Sequence, residues 1–184
     1  MTAVGRDAPL LSLLLVLAVF ALFGNAGVEV GIPALAHQRL HGAIALGLLF
    51  GAWGLGSVAC GMLPRPRRVG ALIMGNAAVV GAGIAVAAVT ANLALLLAAV
   101  AICGIAGGIL TTYAMSAVQG RTDPAVLGRV MSLVMFAVSG TEPIGLAMAG
   151  GVAQRGLDVL FWLCAIAIVA SALGALLVPS VRRM

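Results

Sequence analysis

Two carboxylates stand in stretches of the chain that are otherwise apolar, and they have the clearest chemical potential. Glu142 lies near the middle of the run 130–152, and Glu29 lies within the run 9–36. An acid at the centre of a membrane helix costs roughly 2.5–3.5 kcal/mol on insertion, so it persists where it faces a cavity or a partner. Desolvation also lets it exchange a proton near neutral pH. Glu142 is therefore predicted to couple protons or recognise a cation, or else to be a structural acid hydrogen-bonded to a neighbouring helix.

Asn25, Glu29 and Trp53 are further candidates in the first two apolar runs. Asn25 and Glu29 are four residues apart, so they share one face of a helix. Glu29 lies about four residues before Pro33, near the outer end of its run. It is predicted either to have a function in the protein interior or simply to reach interfacial water. Trp53 lies in the middle of its run, where an interfacial anchor is not expected. It is predicted either to form the wall of a cavity for flat apolar compounds or to pack against other helices.

The composition places these residues in a membrane protein. Hydrophobic residues make up 63% of the chain and charged residues 8%, whereas soluble domains carry about a quarter charged residues. The net charge of +5 does not indicate nucleic-acid binding, because the basic residues are all arginines and nearly all flank the apolar runs. The three cysteines lie inside apolar runs without metal-ligand spacing, which predicts buried thiols.

The apolar runs predict an all-α integral membrane fold with six transmembrane helices in a single bundle. Residues 69–118 form a run of 50 residues without a charge. One helix of that length would extend about 75 Å, more than twice the roughly 30 Å of a bilayer core. The run must therefore cross twice, with a tight turn at 90–92. The predicted helices cover residues about 9–36, 43–63, 69–90, 92–118, 130–153 and 159–178.

The arginines predict the orientation of these six helices, because six crossings place both termini on one side. The loops and tails of that side contain eight arginines: Arg6, Arg65, Arg67, Arg68, Arg121, Arg129, Arg182 and Arg183. The other side contains only Arg39 and Arg155. Since arginine is enriched in cytoplasmic loops, a multi-pass protein of the cell membrane with both termini in the cytoplasm is predicted.

Glycine is expected to bring the helices together, because helix contacts in lipid depend on small residues. The chain contains 25 glycines. Three pairs have GxxxG spacing, which predicts close helix packing at Gly27 and Gly31, Gly47 and Gly51, and Gly104 and Gly108.

Two segments resemble known loops of membrane transporters. The sequence DPAVLGRVMS at 123–132 resembles the loop before the penultimate helix of major facilitator transporters, with the closest similarity to bacterial drug and macrolide exporters. The motif PIG at 143–145, followed by Gly150, is similar to the next helix of those proteins. The sequence GSVACGMLPRPRR at 56–68 looks like the glycine- and arginine-containing loop of the family, without the acidic residue that usually precedes its basic cluster.

The resemblance implies the fold of the C-terminal half of a major facilitator transporter, a 3+3 inverted repeat. In the family, the first and fourth helices of this half line the central cavity, with the second and fifth beside them. The implied substrate and proton pathway comprises Asn25, Glu29, Trp53, Thr111, Thr112, Tyr113, Ser139, Thr141 and Glu142. The implied cytoplasmic loop motif comprises Arg65, Arg67, Arg68, Asp123, Gly128 and Arg129.

The function expected from this resemblance is secondary active transport, with proton-coupled efflux of small amphipathic compounds by a transporter half or fragment. The partners would be the lipid bilayer, the transported compound, and a second copy or an N-terminal six-helix half; no cofactor, metal or nucleic acid is expected. The alternative is a membrane scaffold, assembly subunit or truncated remnant that transports nothing. Enzyme functions are not expected, because the HExxH motif and a phosphate-binding loop are absent and both histidines lie outside the apolar runs.

Overall fold

The computed structural model describes residues 18–40, 42–62, 69–140 and 142–176. These residues are helical almost throughout and contain no β-strand, so the chain is all-α over its described part. The first helix, α1, has an unusual hydrogen-bonding pattern, with two consecutive π-helical segments followed by an α-helical one: Phe20–Gly24, Ala26–Gly31 and Ile32–Arg39. The helices that follow are α2 (Ala43–Ala59, extended by the 3₁₀ turn Cys60–Met62), α3 (Val69–Val89), α4 (Leu93–Arg121), α5 (Leu127–Ser139), α6 (Glu142–Ala153) and α7 (Leu157–Leu176).

The helix boundaries follow local capping signals. The turn between α3 and α4 falls at residues 90–92, where the sequence predicts it. The Asn92 side chain accepts hydrogen bonds from the backbone N–H groups of Ala94 at 3.0 Å and Leu95 at 3.3 Å, which caps the start of α4. Between α6 and α7 the chain turns through Gly156, whose φ of 144° suits a residue without a Cβ atom.

The segment predicted as one helix at 130–153 consists of two helices in the structure. Helix α5 ends at Ser139, and α6 begins at Glu142. Pro143 accounts for the interruption, because proline lacks the N–H that would bond to Ser139, four residues earlier, and its ring clashes with that carbonyl group. Glu142 is therefore in the first turn of a short helix and not in the middle of a long one.

Among the described residues, three helical stretches are long and apolar enough to cross a membrane: Ala43–Met62, Leu93–Gly120 and Leu157–Gly174. Two shorter apolar stretches, Gly75–Val89 and Leu127–Phe136, lie within α3 and α5. Large apolar side chains are exposed on the surface of the bundle, including Ile44 (81%), Leu55 (75%) and Phe136 (75%). An apolar exterior of this kind is suited to contact with lipid.

Helix α3 packs against both α4 and α7, and α2 packs against the opposite side of α4. Helix α1 contacts α2, α6 and α7, whereas α5 has only sparse contacts with the rest of the bundle. The largest completely enclosed side chains of the core are Phe161, Leu35, Leu49, Leu96, Leu110, Leu160 and Ile168.

Glycines allow the closest helix approach, at the crossing of α2 and α4. A Cβ atom on Gly104 would overlap the backbone carbonyl of Trp53, and a Cβ atom on Gly56 would overlap that of Ala101. The same crossing includes Gly108, where a Cβ atom would lie 3.1 Å from the carbonyl oxygen of Ser57. The predicted packing at Gly104 and Gly108 is therefore confirmed.

The other two predicted glycine pairs make fewer close helix contacts than Gly104 and Gly108. A Cβ atom on Gly31 would come within 3.0 Å of the Phe161 ring, whereas one on Gly27 would make only ordinary contacts, the nearest at 3.6 Å. No described atom lies within 4 Å of a Cβ built on Gly47 or Gly51. The prediction for Gly47 and Gly51 is wrong, because both residues are on the outer face of α2, and Gly56 makes the close contact instead.

Arg39 joins three helices at one end of the bundle. Its Nη1 atom donates to the carbonyl oxygens of Ala87 at 3.3 Å and Ala88 at 3.2 Å, near the end of α3. Its Nη2 atom pairs with Asp158 in the first turn of α7. Because Arg39 is itself the last residue of α1, this end contains the C-termini of α1 and α3 and the N-terminus of α7. Helices α1 and α3 therefore run antiparallel to α7.

Replacing Arg39 by alanine is expected to lower the free energy of unfolding by about 2 kcal/mol or more. Charge-assisted hydrogen bonds contribute about 1.5–3 kcal/mol, and this change leaves two helix-terminal carbonyls without their donor. Asp158→Asn should cost less than about 1 kcal/mol, because the Asp158 side chain is 60% exposed and exposed ion pairs are weak. Unfolding titrations in detergent would measure both, with Arg155→Ala as a control for loss of an exposed arginine at the same end. Equal losses for Arg39→Ala and Arg155→Ala would contradict the assignment.

Candidate functional site

The candidate site is formed where the middle of α1 meets the start of α6. Asn25 Nδ2 donates a hydrogen bond to Glu142 Oε1 over 3.2 Å, although the two residues are 117 positions apart. The carboxyl group of Glu29 lies near enough to that of Glu142 for the two acids to interact electrostatically. We refer to Asn25, Glu29 and Glu142 as the acid cluster. The expectation that Asn25 and Glu29 share a face is met, since both approach the same carboxyl group.

The backbone brings the two helices close enough for this contact. A Cβ atom on Gly145 would lie 2.6 Å from the carbonyl oxygen of Leu22, so α6 approaches the π-helical part of α1 through a glycine. Gly145 is buried, and it lies one turn after Glu142. This approach fixes the start of α6 beside Asn25. The small size of residue 145, together with the break before Pro143, therefore positions the Glu142 carboxyl group.

The acid cluster opens toward the surface of the bundle. Glu29 is exposed, and Asn25 and Glu142 are partly buried. Among the described residues, no polar or charged side chain is fully buried.

Trp53 has a packing role in the structure. The indole ring of Trp53 and the ring of Phe20 each come within 3.5 Å of a Cβ atom built on Gly107, so α1 and α2 both direct an aromatic ring at the same point of α4. Trp53 is partly buried and packs against the hydrophobic core. Of the two predicted roles, helix packing is the one that these contacts support.

The polar residues predicted on the fourth helix lie outside the acid cluster's hydrogen bonds. Thr111 and Thr112 are exposed, and Thr111 Oγ1 donates within α4 to the carbonyls of Gly107 at 3.0 Å and Gly108 at 3.2 Å. Tyr113 is partly buried and packs against the core. Ser139 is exposed at the end of α5, and Thr141 lies outside the described residues.

The loop motif before α5 forms a local turn. Asp123 Oδ1 accepts a hydrogen bond from the backbone N–H of Ala125 at 2.8 Å, and the Asp123 carbonyl accepts one from Val126 at 3.0 Å. Gly128 and Arg129 are exposed in the first turn of α5. Arg65, Arg67 and Arg68 lie outside the described residues. The part of the motif that is described thus supplies a turn and exposed charge at the start of α5.

Two features of the site region were not predicted from the sequence. The first is the Arg39 contact with α3 and α7, for which the only local signal is an arginine in the last turn of a helix. The second is the run of π-helical hydrogen bonds around Asn25, which no residue pattern distinguishes from an ordinary apolar helix. The Arg39 contacts depend on neighbours that are distant in sequence.

The comparisons with known proteins do not assign this site. No protein-family model matches the chain, and no curated protein matches it significantly.

Proposed function

We propose that this chain is a six-helix half of a secondary transporter of the major facilitator type, which exports small amphipathic compounds in exchange for protons. The observation that carries the proposal is the acid cluster, in which Asn25 and Glu142, from helices distant in sequence, share a hydrogen bond within an apolar bundle and Glu29 lies near the same carboxyl group. In this proposal Glu142 and Glu29 bind and release the transported proton, and Asn25 orients Glu142.

The exposure of the acid cluster supports the presence of a second helix bundle beside this one. A carboxyl group directed into lipid would carry an insertion cost of roughly 2.5–3.5 kcal/mol, so the surface with Glu29 is expected to face a polar cavity. One six-helix unit supplies one wall of such a cavity. The second wall would come from a second copy or an N-terminal six-helix half, which runs parallel to the first in this class of transporter.

The arginine distribution supports the orientation within the cell membrane. Arg39, Ala88 and Asp158 lie at one end of the bundle, so the turn at 90–92 and the turn at 154–156 belong to that end, which has Arg39 and Arg155. The loop at 119–129, with Arg121 and Arg129, then belongs to the opposite end. In the proposed six-helix arrangement the other six arginines join it there, and the positive-inside rule assigns that end to the cytoplasm.

Reconstitution into proteoliposomes tests the proposal. With ethidium as an amphipathic probe and a pH-sensitive dye inside the vesicles, we expect probe movement to be accompanied by proton movement in the opposite direction. Crosslinking of the same sample should show a dimer or a complex with a second bundle, because one half provides only one wall of the pathway. Coupled flux from a sample that contains only monomers would contradict the two-bundle arrangement. A stable dimer without flux for ethidium or other amphipathic dyes would instead support the scaffold alternative.

A further inference from the structure

A cleft opens between the end of α1 and the start of α2, at the same end of the bundle as Arg39. Its volume is about 450 Å³. One water molecule needs only about 10–15 Å³ of such a space, so the cleft admits water freely. The residues that line it are Pro33, Ala36, His37, Gly42, Ala43 and Leu46.

The cleft lies about one helical turn from the acid cluster. Glu29, Pro33 and His37 follow one another at intervals of four residues, so they lie on one face of α1. Each interval advances roughly 6 Å along the helix axis. Glu29 and His37 are exposed, and Pro33 between them is partly buried. This face of α1 therefore leads from the cleft to the Glu29 carboxyl group without passing an enclosed residue.

The opposite side of the acid cluster is closed. A Cβ atom on Gly145 would lie 2.6 Å from the carbonyl oxygen of Leu22, so α1 and α6 are in close contact there. The apolar crevice that both residues line has a volume of only about 10 Å³. Water that reaches the acids from the end of the bundle with Arg39 is therefore expected to come along the α1–α2 side.

The side chains of the route suit water at both of its ends. Among the residues that line the cleft, only His37 has a polar side chain, and each of its ring nitrogens can donate or accept a hydrogen bond. At the inner end, a Glu29 carboxyl group in contact with lipid would be costly. Hydration of this face satisfies both groups, and it requires no movement of a helix because the cleft is already open.

We propose that the cleft between α1 and α2 is the aqueous entrance to the acid cluster from the outer side of the membrane, with His37 at its hydrated rim and Glu29 at its inner end. A hydrated proton in the cleft would transfer its proton to a carboxylate oxygen of Glu29 and leave a neutral water behind. The proton as passenger rests on the proposed function, whereas the entrance itself concerns only what can reach Glu29.

Chemical access to Glu29 tests the entrance. The full chain in right-side-out membrane vesicles would have Cys60→Ala, which removes the partly exposed native thiol, and Ala43→Cys in the lining of the cleft. A charged, membrane-impermeant carbodiimide is added outside with glycinamide, and amide formation at Glu29 is measured by mass spectrometry. We expect Glu29 to be labelled. A bulky impermeant maleimide attached first at position 43 should abolish this labelling, because the adduct fills the cleft.

The matched control is Ile44→Cys. Ile44 is adjacent to Ala43 and 81% exposed but does not line the cleft, so a maleimide adduct there should leave the labelling of Glu29 unchanged. Asp158, with a 60% exposed side chain at the same end, gives the reference extent of labelling. The proposal is overturned if Glu29 is not labelled before the cleft is blocked, or if adducts at positions 43 and 44 have the same effect.

Two further results separate the entrance from the transport proposal. His37→Leu makes every lining side chain apolar and should lower the labelling of Glu29, whereas His37→Gln should retain it; equal labelling would contradict the role of His37. In proteoliposomes, the adduct at position 43 should also stop probe-dependent proton flux. If labelling is blocked as expected but no sample shows flux, the entrance stands and the transport proposal fails. Flux that continues with the cleft blocked would contradict the entrance.

Discussion

Replacement of Glu142 by glutamine is expected to reduce probe-dependent proton flux in proteoliposomes to the level of empty vesicles. Glutamine has nearly the same shape and retains an oxygen that can accept the hydrogen bond from Asn25. In the wild-type structure this bond joins Asn25 Nδ2 to Glu142 Oε1 over 3.2 Å. The glutamine amide, however, cannot bind and release a proton near neutral pH. The unfolding midpoint should therefore change little while the flux is lost. The measurement is the initial rate of internal pH change after addition of ethidium.

Two companion variants separate proton binding from positioning. Glu29→Gln should also reduce the flux, because it removes the second acid of the acid cluster. Asn25→Ala leaves both acids in place and should shift the pH dependence of the flux rather than abolish it. Ser116→Ala is a matched control on the exposed face of α4, because its hydroxyl group donates only to the Thr112 carbonyl of the same helix. Full flux in Glu142→Gln would remove this residue from any coupling role, whatever the behaviour of Glu29.

Alanine at Gly56 or Gly104 should destabilise the bundle by about 1–3 kcal/mol, the usual cost of overpacking. At both positions the added Cβ atom would overlap a backbone carbonyl group across the α2–α4 crossing, and a backbone group cannot move aside as a flexible side chain can. The two helices must then separate along their length. Unfolding titrations in detergent would show a lower midpoint for each variant.

The control for these variants is another glycine on the same helix. No described atom lies within 4 Å of a Cβ built on Gly51, so Gly51→Ala has room for its methyl group. It should be neutral or stabilise the helix by up to about 0.5–1 kcal/mol, because alanine restricts the unfolded chain more than glycine does. A similar loss of stability for Gly51→Ala and Gly104→Ala would mean that the crossing is not as close as the structure indicates.

The turn between α3 and α4 could be predicted from the sequence. The end of α3 and the start of α4 fall at the asparagine-containing turn, because a stretch of that length cannot cross a bilayer once and Asn92 is a good helix cap. The division of the segment 130–153 was not predicted, even though Pro143 is visible in the sequence. Apolar composition was given more weight there than the hydrogen bond that proline removes.

The acid cluster could be predicted only in part. The sequence identified Glu142, and it placed Asn25 and Glu29 on one helix face, because polar groups in apolar helices are costly and therefore conspicuous. It could not show that Asn25 and Glu29 meet Glu142, since this contact depends on the approach of α6 to α1 at Gly145 and Leu22. For the same reason Trp53 remained ambiguous until the position of Phe20 beside Gly107 was known.

The sequence by itself determined that this protein is helical and rich in segments suited to lipid, because hydropathy, helix length and capping act over a few neighbouring residues. The tertiary structure decided which glycines are contact points. Gly51 and Gly56 lie on the same helix, but only Gly56 is on the face that meets α4. It also decided that Asn25, Glu29 and Glu142 form one group and that Arg39 joins α1 to α3 and α7. These contacts depend on the rotation and approach of helices far apart in the chain, which no local pattern of residues specifies.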